Sequence, residues 1–285
     1  MSLEPRFRFP PFPPAIRFLL VVNVAVFVLN ALLAGRLSDP ASGDGGFWFA
    51  FSWSGLLEGY GLGALRFLSY QFTHGFRDPM HLLMNMLVLW FFGSMVEERL
   101  GARGTIRLYL AGGVAGALLH LGIAALQGEA DVPLVGASGA CYAFLLWAAC
   151  QSPRATVILF VFPIPLAVLA GLLVAIGVYS TFVEFATGFA GGVSHGAHIG
   201  GAALGALAQR RGWFRATDDD RDGFFAAIVA RWHAHQRERR LQSRLDQELR
   251  LDAILTKVKE SGIGSLSAGE RRFLERSSER ARKGS

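Results

Sequence analysis

The sequence predicts an all-α polytopic membrane protein, a bundle of six transmembrane helices followed by a cytoplasmic helical tail. Three observations carry that reading. The 285-residue chain is 52% hydrophobic and only 18% charged, with a mean hydropathy of +0.36, more apolar than a water-soluble domain usually tolerates. Its charge is unevenly placed: residues 1–212 carry 12 Arg and 10 Asp/Glu, whereas residues 213–285 carry 16 Lys/Arg and 12 Asp/Glu. The apolar part also divides into six runs close to the roughly 20 residues that a ~30 Å hydrocarbon core demands. The expected organisation is a cytoplasmic N-terminal segment (1–15), a membrane domain (16–212) and a polar helical tail (213–285). The net charge of +6 needs no nucleic acid to explain it.

The runs are 16–35, 80–97, 105–126, 136–151, 165–187 and 194–209. The first follows a Pro-rich, Arg-containing start and lacks a small-residue cleavage pattern, so it reads as a retained span and not a signal peptide. The connection 36–79 is too long for a turn and mixes Phe47, Trp48, Phe49, Phe51, Trp53, Leu56 and Leu57 with Gly and Ser. Aromatics of this kind favour the headgroup zone. The stretch from Val157 to Pro165 is apolar but broken by two prolines, and reads as a cytoplasmic-side approach to the fifth span; a deeper fourth span is the alternative.

Orientation follows from arginine. A cytoplasmic N-terminus puts Arg6, Arg8, Arg17, Arg99, Arg103, Arg107, Arg154, Arg210, Arg211 and Arg215 inside and leaves Arg36, Arg66 and Arg77 outside. Ten against three fits the positive-inside bias, and six spans then place both termini in the cytoplasm. Apolar residues recur at helical spacing through about 223–260, Gly262 is placed to end that helix, and Ser267 with Glu270 resembles a capping box. His233 and His235 stand two apart and point in different directions on a helix. Cys141 and Cys150 lie about 180° apart around one helix and ~13 Å along it, beyond pairing.

Polar side chains inside spans are expensive and mark functional sites. Here they gather at the exterior starts of three helices: His81 and Asn85 in span 2, Ser138 and Tyr142 in span 4, and His195 and His198 in span 6. His81 and Asn85 are i, i+4 and share a face, as do Ser138 and Tyr142. Gly201 and Gly205 follow His198 at i+3 and i+7, a stripe that admits another helix closely on the histidine's side. Gly136 and Gly139 flank Ser138. Spans 4 and 6 in close contact would bring Ser138 to a histidine, and a neutral imidazole accepting a serine proton makes the hydroxyl nucleophilic. Asn85, a His81 ring N–H and the Ser138 backbone N–H would serve the oxyanion. Asp78, Glu129, Asp131 and Glu184 lie in or near exterior loops, which favours a dyad over a triad. On the residues alone His195 competes with His198 as the base, and histidines 74, 81, 195 and 198 could instead gather a metal, although no Cys, Asp or Glu completes an evident ligand set.

The residues resemble the rhomboid intramembrane serine proteases. The resemblance rests on HLLMN (His81 to Asn85), GASG (Gly136 to Gly139) with Tyr142 four residues past the serine, and AHIGGAALG (Ala197 to Gly205), in the expected order over roughly residues 15–210. It implies a rhomboid-like bundle with Ser138 as nucleophile and His198, not His195, as base. It also implies oxyanion roles for His81 and Asn85, stacking by Tyr142, and a structural role for Glu97 in VEERLG. Arg66 resembles the arginine of the family's Trp-Arg pair in the first exterior loop, with Leu65 in place of the tryptophan. The segment from Leu251 to Arg280 is similar to a short appendage on some bacterial rhomboid-like proteins.

The expected function is therefore cleavage of transmembrane or juxtamembrane segments of other membrane proteins through a Ser138–His198 dyad. No cofactor or metal is expected; the expected partners are transmembrane substrates and membrane lipid, and the expected location is a bacterial inner membrane. The loop from Thr187 to Gly196 is expected to act as a lid. The competing class is a catalytically silent rhomboid-like protein that binds membrane clients, against which the presence of both Ser138 and His198 argues. A transporter would require paired hydrophobic halves, which are absent.

Overall fold

A computed structural model describes residues 12–33, 49–57, 62–75, 77–128, 131–159, 162–187 and 193–215, together with 238–239, 242, 249–267, 269–271 and 273–274 of the C-terminal part. Phe47, Trp48, Arg36, Glu129, His233, His235 and positions 188–192 of the expected lid lie outside the described residues. The chain divides into two compact units, Met1–Gly223 and Phe224–Ser285.

The first unit is built from helices α1 (Pro14–Leu32), α2 (Trp53–Leu57), α3 (Arg66–Ser69), α4 (Pro79–Gln127), α5 (Ser138–Gln151), α6 (Leu166–Thr187) and α7 (His195–Arg211), with a hairpin of β1 (Thr156–Leu159) and β2 (Phe162–Pro165) between α5 and α6. Three of the helices are long and apolar enough to cross a membrane, α1, α4 and α6. Helices α5 and α7, with 14 and 17 residues, are shorter.

Helix α4 is a kinked pair of helices. Asp78 caps it by accepting from the His81 N–H at 3.0 Å, with Pro79 in the first turn where no N–H is needed. Two helices meet at Gly101, whose backbone, at φ 68° and ψ 175°, is non-helical, and this break falls within the expected connection 98–104. That backbone geometry is accessible to glycine and costly for any other residue. The stretch 157–165, expected as an approach to the fifth span, lies largely in the hairpin, which pairs Thr156 with Pro165 and Leu159 with Phe162. Pro163 and Pro165 exclude a helix there and are tolerated in a two-stranded ribbon with free edges.

Helix α1 has no cap of its own; Pro13 offers no side-chain acceptor. Its first N–H groups are satisfied from 80 residues away. Glu97 Oε1 accepts from the Ala15 N–H and Oε2 from the Ile16 N–H, both at 2.9 Å, and the carboxylate is buried. Negative charge at a helix N-terminus also meets the positive end of the dipole. One residue of α4 thus fixes the start of α1, and the stacking of Phe12 on Trp90, centroids 4.8 Å apart, secures the same end.

The centre belongs to α5, whose residues from Gly139 to Ala149 are almost all buried. It packs against α4, α6 and α7, and the contacts with α4 and α7 run through small residues. A Cβ on Gly201 would collide with the Gly139 carbonyl, and one on Gly205 with the Ala143 carbonyl. On the other flank a Cβ on Gly112 would stand 2.5 Å from the Ala143 side chain, and one on Gly116 2.8 Å from the Ala197 carbonyl. Backbone therefore touches backbone where α4, α5 and α7 meet, the packing mode of helices that have no hydrophobic driving force between them. The outward faces are apolar instead: Leu172, Ile176, Tyr179 and Phe182 of α6 are exposed.

In the second unit residues 249–261 are helical and Gly262, at φ 76°, ends the helix. Ser267 and Glu270 form the expected reciprocal box, with the Ser267 N–H donating to Glu270 at 2.7 Å and the Glu270 N–H to Ser267 Oγ at 3.3 Å. Lys257 also donates to Glu270, at 3.0 Å.

Two outcomes are expected. Glu97→Ala leaves two N–H groups of α1 without acceptors and should lower stability by about 1–3 kcal/mol, with Glu97→Gln intermediate, as read by thermal melting of the purified protein. Gly201→Val should force α7 off α5 and cost about 1–3 kcal/mol or more, whereas Gly171→Val, at a glycine of α6 with open space around it, should leave the melting temperature within a few degrees.

Candidate active site

Ser138 is the first residue of α5, and the chain reaches it through a tightly held approach. Leu134 pairs with Phe51, exchanging hydrogen bonds of 3.0 and 2.7 Å, and the Gly136 N–H donates to the Tyr70 carbonyl at 3.0 Å. Gly136 adopts φ 111°, and a Cβ there would stand 2.7 Å from the His81 ring. Only glycine fits both conditions.

The approach of α7 to α5 places His198 Nε2 2.9 Å from Ser138 Oγ. Tyr142, one turn along α5 from the serine, stacks on the His198 ring with centroids 4.4 Å apart and planes 7° from parallel. Three of the expected residues are thus in one contact set. With the imidazole neutral and its proton on Nδ1, the serine hydroxyl donates to Nε2, the geometry in which the ring is a base for that hydroxyl.

His81 and Asn85 of α4 converge on Gly136 from the other side. Asn85 is buried and its Nδ2 lies 3.1 Å from His74 Nε2. The Ala137 N–H points at the same nitrogen at 3.4 Å. His74 Nε2 is therefore an acceptor shared by the amide of Asn85 and the residue preceding Ser138. The His74 carbonyl accepts from Asn30 of α1 at 2.9 Å. Burial first, and the neighbouring His81 second, push the His74 pKa down to about 3, so the ring stays neutral and keeps accepting throughout the neutral range. The sequence pointed to His74 only as a metal ligand. Its part beside Asn85 depends on a fold of the 62–78 segment that no periodicity announces.

The other expected residues separate. His195, the competing base, lies 3.8 Å from Glu184 of α6, its ring edge-on to His198 at 6.0 Å, and does not contact Ser138. Among the described residues no group of three or more His, Cys, Asp or Glu side chains is placed to hold a metal ion. Gly139, Gly201 and Gly205 form the α5–α7 contact, and Glu97 caps α1. Arg66 opens α3, where its guanidinium occupies the space beside Gly55; it belongs to the packing of the short helices α2 and α3. Asp131 accepts from the Ser54 N–H at 2.7 Å, and Asp78 caps α4, so both of these acidic groups are engaged away from His198.

Comparisons with known proteins place the chain in a family. The rhomboid domain family matches residues 62–212, a stretch that contains Ser138, His198, His81, Asn85 and Tyr142. The chain is 32% identical over 230 residues to Rhomboid protein 1, mitochondrial, of Saccharomyces cerevisiae, covering 79% of this chain and 56% of that one. It is 32% identical over 155 residues to RHOMBOID-like protein 12, mitochondrial, of Arabidopsis thaliana, covering 48% and 45%, and 29% identical over 209 residues to RHOMBOID-like protein 4 of the same plant, covering 62% and 51%. The chain spans about half the length of these relatives. They are eukaryotic, two of them mitochondrial by name, and give no support to the bacterial inner membrane expected above. The apolar helices and the family match together make this a membrane protein, and the chain belongs to the rhomboid family.

Proposed function

We propose that this protein is an intramembrane serine protease that cleaves transmembrane or juxtamembrane segments of other membrane proteins, with Ser138 as nucleophile and His198 as general base. The observation that carries the reading is the 2.9 Å approach of Ser138 Oγ to His198 Nε2 under the stacked Tyr142 ring. In the first step Oγ attacks the scissile carbonyl carbon while its proton passes to Nε2. The resulting oxyanion is served by the Ser138 N–H, which lies in the first turn of α5 and so has no acceptor within the helix, by an Asn85 amide N–H, and by a His81 ring N–H. Collapse expels the amine, which takes the proton from His198, and leaves an acyl ester on Ser138. Water, deprotonated by the same imidazole, then releases the carboxylate and restores the hydroxyl. The chemistry draws on no group beyond these side chains and water.

The same reading takes the chain across the membrane six times, counting α4 as two crossings divided at Gly101, with both termini on the arginine-rich, cytoplasmic side. The starts of α5 and α7 then lie at one level near the opposite face, where water reaches the dyad from the loop before Ser138. Membrane lipid surrounds the exposed apolar faces, and the 213–285 segment forms a cytoplasmic appendage.

Purified protein in liposomes with a model transmembrane substrate tests the reading. Wild type and His195→Ala are expected to cut, while Ser138→Ala and His198→Ala fall by at least about 10³-fold. Cleavage by Ser138→Ala at the wild-type rate would rule out the serine mechanism. A wild type that binds the substrate without cutting it would make the protein a silent client binder.

A further inference from the structure

A second serine–histidine contact lies outside the proposed dyad. Ser194 Oγ is 2.8 Å from His120 Nδ1, and His120 Nε2 is 3.3 Å from the Val132 carbonyl. A carbonyl only accepts, so Nε2 carries the proton, Nδ1 is the acceptor, and the Ser194 hydroxyl donates to it. His120 sits in the last third of α4 and is about nine-tenths buried, at 9% exposure.

Ser194 is not a free nucleophile. It is the cap of α7: its Oγ accepts from the Ala197 N–H at 3.2 Å, and its carbonyl accepts from the His198 N–H at 3.4 Å. The backbone of His198 therefore hangs on Ser194, and Ser194 hangs on His120. A Cβ on Gly196 would stand 2.9 Å from Ile123 and 3.3 Å from the His120 Cα, so the first turn of α7 rests directly on this turn of α4. On its other nitrogen His120 holds Val132, six residues ahead of Ser138 in the same approach that Leu134 and Gly136 anchor. One imidazole thus joins the segment leading to Ser138 with the turn carrying His198.

We propose that His120 is a positioning residue for the Ser138–His198 pair, acting through the Ser194 cap of α7; this rests on the protease reading above. The bond that matters is the one accepted from Ser194, because it sets the height and rotation of the first turn of α7. The bond to Val132 steadies the approach loop. A small displacement of a general base weakens an interaction made in the transition state and not in the ground-state complex, so it is expensive in rate while changing substrate affinity little.

Two near-isosteric variants separate the bonds. Asn places its amide oxygen where Nδ1 stands and keeps the acceptor for Ser194; Gln places its amide group where Nε2 stands and keeps only the donor for Val132. With full-length protein in liposomes and a transmembrane peptide substrate, His120→Ala and His120→Gln are expected to lower kcat on the order of 10- to 100-fold with KM within about twofold. His120→Asn is expected to recover most of kcat while melting within a few degrees of His120→Gln. Nitrogen-15 NMR of histidine-labelled protein is expected to find His120 as the Nε2–H tautomer. An unimpaired His120→Ala, equal losses in the Asn and Gln variants, losses that follow melting temperature, or the Nδ1–H tautomer would each overturn the proposal. These results leave the protease reading intact when the wild type cleaves; a wild type that does not cleave overturns that reading and the proposal together.

Discussion

The α5–α7 contact sets everything else in this molecule. Gly201 meets the Gly139 carbonyl and Gly205 the Ala143 carbonyl with no side chain between them, and at that separation the serine opening α5 falls within hydrogen-bond reach of the second histidine of α7. A larger residue at either glycine moves the helices apart by the width of a methyl group, and a hydrogen bond of 2.9 Å does not survive such a shift. The interior of a membrane protein offers no hydrophobic gain for bringing these helices together. Close backbone contact, dispersion and a few polar bonds must do it, which explains why the α5–α7 interface is built of Gly and Ala.

Around that contact the polar groups act as long-range fasteners, not as isolated features. Glu97 of α4 caps α1, Asn30 of α1 bonds the His74 carbonyl, and His74 bonds Asn85 and the backbone ahead of Ser138. Most of these bonds join elements far apart in sequence, and each group is buried, where an unmade bond costs most. The result is a scaffold in which Asn85 and His81 are held against Gly136 before any substrate arrives. Preorganised donors of that kind are what a developing oxyanion requires.

Much of the first unit was legible in the sequence because its signals are short-range. The i, i+4 spacing of His81 with Asn85 and of Ser138 with Tyr142 reports which face each residue takes, and the glycines at i+3 and i+7 from His198 report which face of α7 another helix approaches. The Ser267–Glu270 box was legible for the same reason. Part of what escaped depends on partners distant in sequence. The capping of α1 by Glu97 joins residues more than 80 apart, and nothing in the VEERLG stretch alone says that its carboxylate meets Ala15 and Ile16. The hairpin at 156–165 was hidden by apolar residues that suit a membrane approach as well as a strand. His74 and His120 were visible as residues, but their parts come from tertiary bonds to Asn85, Ser194 and Val132.

Two serine–histidine hydrogen bonds occur among the described residues, and they differ in what surrounds them. Ser138 meets a histidine that is held by a stacked tyrosine ring, with the side chains of His81 and Asn85 beside the neighbouring Gly136, whereas Ser194 spends its lone pair capping a helix. The most direct measurement is to treat the protein with a fluorophosphonate, which reacts only with an activated serine, and to locate the adduct by mass spectrometry of peptides. The geometry predicts an adduct on Ser138 that disappears in His198→Ala. An adduct on Ser194 or on any other serine, or one on Ser138 that persists without His198, would contradict it.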